Sequence, residues 1–383
     1  MPFERVAEPL PSPDAFRRGG DTATLSAAAA LLVLGFRLRG DERALTARAE
    51  DVPSEREDQP SVIALPEDEA ARLAIPPLRA TGERIDRRRA QARWADERQP
   101  PEDQPELPRD AIGDVADQFH ENPTHQTAAE LFEACLRHPE ELVRVAASSS
   151  YLDLTTDPRR PLEVLRRALI SDDQLTREVA ATTLTHFTPE DPLLARLLVR
   201  GELPEGGRPA STWILVHGTW AQNQKWWQPG GDFHAYFEAQ VGGDLYAASD
   251  KFSWSGGYSD AARAVAANSL LRWAADHQLS PLELIAHSHG GNVAMLATQG
   301  GLDLGELFLL SCPVHIPHYL PNLPAGRKIV SVHVHLDLVI LADRGGQKFN
   351  VPGISEHVLP IWFDPFATHD RNVWEENNVA GWL

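Results

Sequence analysis

Cysteine is almost missing from this sequence: Cys135 and Cys312 are the only two in 383 residues. One in each half leaves no disulfide framework and no cysteine-based zinc site, and the usage fits a reducing compartment, so a cytoplasmic location is expected. Positive charge is also scarce. Lys and Arg number 36 against 55 Asp and Glu, a formal net charge of -19. Binding to phosphate backbones depends on clustered Lys and Arg that release counterions, so nucleic acid is not an expected partner. Long apolar runs are missing too. The longest, Leu25 to Phe36, falls short of the roughly 20 residues that cross a bilayer, so no transmembrane segment is expected and the run reads as a short helix. Arg17 and Arg18 precede it like the start of a secretory leader, but Arg37 and Arg39 follow where a cleavage site needs small residues.

What is present is ordinary for a folded protein. The sequence is 42% hydrophobic and 24% charged, enough apolar material for a sizeable core, and its length implies two folded units with extra segments. Residues 1–110 are rich in Pro, Glu, Asp, Arg and Ala, and read as low-complexity and largely disordered, with helical pieces at Leu25 to Phe36 and at the mixed-charge span Glu83 to Arg98. From 111 to 200 the pattern is helical and repeats itself at a spacing of 33 residues, so that Leu136 aligns with Leu169, Arg144 with Arg177 and Ala147 with Ala180. Each copy reads as helix, turn, helix, with small residues where the second helix must pack closely. The pair resembles HEAT-type repeats, which implies a surface for a protein partner.

Residues 201–209, GELPEGGRP, carry the glycines and prolines of a linker. Beyond them strands alternate with helices. Strands are expected at Trp213 to Val216, Leu282 to Ala286, Glu306 to Leu310, Ile329 to His335 and His357 to Trp362, with helices at Asp260 to His277, from Gly290 to about Thr298, and at the C-terminus. Apolar strands alternating with helices imply an α/β unit over residues 210–383, with a mostly parallel sheet covered on both faces.

The chemistry lies in LELIAHSHGGN, Leu282 to Asn292. An apolar strand runs straight into a serine and then into a helix that opens on two glycines, the pattern of a nucleophile elbow that holds Ser288 strained above the sheet edge. Gly290 supplies the small residue after the serine, and Ala286 stands where the common form has glycine. About 70 residues upstream, TWILVHGTW ends an apolar strand in His217-Gly218. With AHSHGG, these residues resemble the α/β-hydrolase family, and the elbow is similar to the AHSxGG variant of small bacterial lipases and esterases. A stretch like Phe252 to Gly256, FSWSG, also precedes the elbow strand in lipase-like members; Trp254 in it is expected to support the pocket.

The resemblance implies a serine hydrolase acting on carboxylic esters, with lipid esters leading. By position, the backbone N–H groups of Thr219 and His289 would form the oxyanion hole, Asp337 would be the acid and His369 the base. Asp343 competes for the first role, with a surface carboxylate as its plain alternative, and His357 for the second, its place on a strand marking it as structural. Trp220, Trp226 and Trp227 shape either a substrate pocket or plain core. His333 and His335 alternate onto one strand face in the manner of zinc ligands, but no H-E-x-x-H or comparable helical pair accompanies them, so no metal and no cofactor is expected. The competing expectation is a protein-interaction scaffold that binds through the helical repeats and carries a regulatory or inactive hydrolase domain.

Overall fold

A computed structural model of the protein describes residues 14–17, 20–38, 105–122, 124–198, 213–241, 245–322 and 327–382. The chain divides into two compact units, the first Met1–Leu194 with Leu341–Arg344, the second Ala195–Ile340 with Gly345–Leu383. Most of residues 1–110, including Glu83 to Arg98, and the whole linker 201–209 lie outside the described residues.

The first unit is helical: α1 (Asp21–Leu38), α2 (Arg109–Glu121), α3 (His125–Cys135), α4 (Glu141–Tyr151), α5 (Arg159–Ala168) and α6 (Gln174–Phe187). The apolar run within the first 110 residues is thus an integral helix. In α1, Ala27, Ala28 and Ala29, then Leu31 to Leu34, are buried in succession around the helix, as expected of a helix apolar on every side that sits inside a protein core. Close approach is possible because Gly35 faces Ser150 on α4, and Ser150 Oγ donates to the Leu31 carbonyl at 2.8 Å.

The sequence repeat is a structural repeat. Leu136 and Leu169 are the C-caps of α3 and α5, and Glu140 and Asp173 the N-caps of α4 and α6, each pair one repeat apart. Arg144 donates to the carbonyl of His138 at 2.7 Å, and Arg177 donates to the carbonyl of Ser171 at the matching position. In both copies a buttressing arginine of the second helix satisfies a carbonyl of the turn that joins the two helices.

The second unit is a mixed α/β structure around a five-stranded, all-parallel sheet. Strands β1 (Trp213–Val216), β2 (Leu282–His287), β3 (Leu304–Leu310), β4 (Lys328–His333) and β5 (Ile354–Val358) lie side by side in chain order. The helices wholly within this unit are α7 (Asp232–Tyr236), α8 (Asp260–Asp276), α9 (His289–Gln299) and α11 (Arg371–Glu376), while α10 (Leu338–Asp343) begins in it and ends in the segment grouped with the first. Alternation divides the strands between two cores. Ile214, Leu284, Ala286 and Leu309 face one core, while Leu215, Ile285, Phe308 and Val332 face the other, with Trp227, Phe233 and Trp374. Each fully buried aliphatic side chain contributes about 1.5–3 kcal/mol, and a slip of one residue would exchange the faces, so burial fixes the register.

β5 begins three residues before its expected position. Pairing does continue past it, through Leu359 N–H to the His333 carbonyl and His335 N–H to the Ile361 carbonyl. His335 thereby bonds two residues beyond Leu359, whose carbonyl regular parallel pairing would use, so the ladder loses its register where the apolar pattern alone reads as strand. β4 likewise ends at His333 instead of His335.

On the outer side of β1, Leu245 pairs with Trp213 in parallel, and Tyr246 N–H donates to the Trp213 carbonyl at 2.8 Å. The chain therefore leaves β1 toward one side and returns to β2 on the other. This reversal opens a crevice at the carboxyl ends of β1 and β2, the position at which parallel sheets bind ligands.

Candidate active site

Ser288 stands in that crevice, between the last residue of β2 and the first of α9. Its backbone is left-handed, φ 52° and ψ -135°, a conformation that costs a non-glycine residue on the order of 1–3 kcal/mol and persists only where the surroundings impose it. They do so here. Ser288 N–H donates to the Leu310 carbonyl at 2.8 Å, and its carbonyl accepts from Gly291 N–H at 2.9 Å. A Cβ on Gly290 would lie 2.6 Å from the His217 carbonyl oxygen, and one on Gly218 would lie 2.8 Å from Ser288 Cβ. The two glycines thus let the turn after β1 and the start of α9 meet. Ala286 fits without glycine because its methyl group is buried in the core.

The turn after β1 is fixed by tryptophans. Trp254 Nε1 donates to the His217 carbonyl at 2.8 Å, and the His217 ring lies 4.6 Å from that of Trp227. Trp254 is accordingly a support. Trp227 is core, its Nε1 bonded to the Ala221 carbonyl at 2.8 Å. Trp220 is left-handed, φ 55°, and stacks on Tyr258. Thr219, between His217-Gly218 and Trp220, is buried, and its Oγ1 has no hydrogen-bond partner. His289 opens α9, so its amide is among the first-turn N–H groups that the helix itself cannot satisfy, at the end where the helix dipole favours negative charge. The His289 ring is held by Asn292, Nδ2 to Nδ1 at 2.9 Å.

His369 ends a 3-10 turn, Pro365–His369, ahead of α11. Its ring stacks on Trp226 at 4.2 Å and 9° and meets the ring of His287, the residue before Ser288, edge to face at 4.7 Å. Burial pushes its pKa down to about 4, so the imidazole is neutral and basic in form at pH 7. Its Nε2 is buried without a hydrogen-bond partner.

Asp337 lies beyond β4 and is wholly buried. Its N–H donates to Gln347 Oε1 at 2.8 Å, and its Oδ1 accepts from the amides of Val339 at 2.9 Å and Ile340 at 3.0 Å. Oδ2 has no hydrogen-bond partner. Burial pushes the carboxyl up to about 7, against the downward pull of the Ile340 amide, the Ser311 hydroxyl and the Val339 amide. Asp337 also bridges to Phe363, on the segment leading to His369. Ser288 follows β2 and Asp337 follows β4, with β3 between them, and the ring of His369 meets that of His287 beside Ser288, but no hydrogen bond joins His369 to Ser288 or Asp337. Such contacts are often long before substrate is bound.

The rivals lie elsewhere. Asp343 is the buried last residue of α10, in the segment that groups with the first unit, and is not a surface carboxylate. His357 is on β5, stacked on Trp382 at 4.4 Å. His333 is buried with both ring nitrogens unpartnered, and burial lowers its pKa to about 3. His335 stacks on Trp362 beyond the end of β4, so strand alternation does not pair it with His333. Among the described residues no group of three or more His, Cys, Asp or Glu is placed to hold a metal ion.

Ser311, Thr368 and Gln347 were not singled out from sequence. Ser311 directly follows an apolar strand, a place where parallel sheets put functional side chains; nothing in the sequence marks Gln347. Compared with known proteins, the chain matches no family model, no curated protein and no solved structure.

Proposed function

We propose that the second unit is a serine hydrolase of the α/β-hydrolase type, which cleaves carboxylic esters, lipid esters among them, through an acyl-enzyme on Ser288. The observation that carries this reading is the left-handed backbone of Ser288 between β2 and α9, wedged against Gly218 and Gly290 at the crevice where strand order reverses. The elbow and the sheet order, with the Leu245 segment outside β1, support the fold assignment.

In this mechanism His369 takes the proton of the Ser288 hydroxyl as Oγ attacks the ester carbonyl, then gives it to the departing alkoxide. Asp337 accepts a hydrogen bond from the imidazole through Oδ2, fixes its tautomer and stabilises the imidazolium. The amides of Thr219 and His289 donate to the oxyanion. Water then attacks the acyl-enzyme, with His369 as the base. A fluorophosphonate probe tests the reading: wild type is labelled at Ser288, Ser288→Ala is not, and His369→Ala is labelled far more slowly. Failure of the folded wild-type chain to react would overturn it.

A second reading is favoured by the repeated arginine buttress of α3–α4 and α5–α6. It takes the first unit as a HEAT-like pair that binds a protein partner, with the hydrolase unit regulatory or inactive. The same labelling separates the two, since an inactive unit leaves Ser288 unreactive. Two buried free cysteines support the proposal of a cytoplasmic protein, and among the described residues no helix is long and apolar enough to cross a membrane.

A further inference from the structure

The imidazole of His369 sits in a cage of rings. Trp226 lies flat against it, with centroids 4.2 Å apart and planes at 9°, while His287 meets it edge to face at 4.7 Å. Phe366 and Phe233 stand at 6.0 and 6.4 Å. The indole of Trp226 also meets Phe233 at 5.9 Å and His287 at 5.4 Å, both edge to face. It is fixed in turn: Nε1 donates to Gln224 Oε1 at 2.8 Å, and the Trp226 carbonyl accepts from the His234 amide at 3.0 Å. The stack joins the loop between β1 and α7 to the 3-10 turn before α11, two segments distant in sequence.

Burial among these rings opposes charge on His369, yet the base must become an imidazolium when it takes the Ser288 proton. The titratable groups beside it make no contact that offsets this. His287 is kept neutral by burial, and Asp337 makes no hydrogen bond to the imidazole. Asp370, the next residue, is exposed and caps α11, its Oδ1 accepting from the amides of Asn372 and Val373. An indole face attracts a cation within about 6 Å of its centroid, more strongly than the ring of Tyr or Phe. A stack at 4.2 Å therefore strengthens as the proton arrives, and an interaction that grows toward the transition state raises kcat.

We propose that Trp226 is a positioning residue for the base: its indole holds the imidazole of His369 in plane and stabilises the imidazolium that forms as Ser288 attacks the ester. This rests on the hydrolase reading of Ser288. Trp226 does not react; it acts through His369.

The test uses the full-length chain, 4-nitrophenyl butyrate, and the variants Trp226→Phe and Trp226→Leu. Leucine keeps an apolar cover over the imidazole and removes the π face, whereas phenylalanine keeps a weaker one. Trp226→Leu is expected to lower kcat about threefold to thirtyfold with KM within about twofold, and Trp226→Phe to fall between it and wild type. The ring resonances of His369, identified by their loss in His369→Ala, report its titration by NMR. The midpoint is expected to move down by about 0.4 to 1.5 pH units in Trp226→Leu, and by less in Trp226→Phe, because the cation loses its partner while burial persists. In a His369→Ala background, Trp226→Leu is expected to cost little more, since the two act through one contact. A midpoint that rises toward 6.5 would mean that the indole only excludes water, and would overturn the proposal. So would a kcat unchanged in Trp226→Leu, or a full additional loss in the His369→Ala background. Trp226→Phe decides the same question by the direction of its shift if Trp226→Leu fails to fold. Wild type that fails to react with a fluorophosphonate at Ser288 would instead overturn the hydrolase reading, and the role of Trp226 with it.

Discussion

At Asp337 stability and the proposed chemistry pull in opposite directions. A wholly buried carboxyl with two amide donors on one oxygen and none on the other is held near a pKa of about 7. Since the folded value lies above the unfolded one, this group's contribution to stability is full below about pH 4 and is lost as pH rises through about 7. Asp337→Asn removes the buried charge and keeps the shape. At pH 8 the variant is therefore expected to be more stable than wild type by about 2–4 kcal/mol, read as a higher denaturation midpoint. Its esterase activity is expected to fall by about a hundredfold to ten-thousandfold, because the imidazole loses the carboxylate that orients it. A variant that loses activity and stability together would mean that Asp337 is a structural residue. His369 carries the complementary shift, its pKa lowered by burial among Trp226, Phe233 and His287, which keeps it a neutral base.

Among the elements, the junction of β1, β2 and α9 is tightly constrained by backbone. A methyl group on Gly290 meets two backbone carbonyl oxygens, of Val216 at 2.7 Å and His217 at 2.6 Å, and backbone cannot swing aside as a side chain can. Gly290→Ala is expected to destabilise the second unit by about 1–3 kcal/mol and to abolish labelling of Ser288, whereas Gly301→Ala, in open space though strained by its own positive φ, leaves labelling intact. Comparable labelling of both variants would mean that the elbow is looser than described. This junction was legible in sequence because it is local: a strand, a serine and two glycines in eleven consecutive residues. β1 to β4 were legible as apolar runs, and the helical repeat through Arg144 and Arg177, which do the same work in each copy. β5 was displaced because apolarity continues through Ile361 and Trp362 while the ladder to β4 loses its register after Leu359. The contact of Ser311 with the Pro365 carbonyl joins residues that only the sheet order brings together, the bond of Asp337 to Gln347 closes a loop between β4 and β5, and no local pattern encodes either.

At the scale of the whole molecule, buried neutral histidines set the response to acid in both units. His138 in the first unit and His234 and His333 in the second are lowered by burial to about 4, 4 and 3. Their folded values lie below the unfolded value of about 6.5, so the stability they carry is present above that pH and is lost as pH falls toward 4 and below. The thermal midpoint is expected to drop between pH 6.5 and 4, and the drop in the second unit to shrink in His333→Gln. A midpoint flat across that window would contradict the burial of these rings. The reactivity of Ser288 is independent of these titrations. The direct measurement is to treat the folded full-length chain with a fluorophosphonate at pH 8 and locate the adduct by peptide mass spectrometry. One adduct is expected, on Ser288, absent from a Ser288→Ala protein of unchanged circular dichroism. A folded wild-type chain that stays unmodified, or an adduct on another residue, would contradict the assignment of Ser288 as nucleophile.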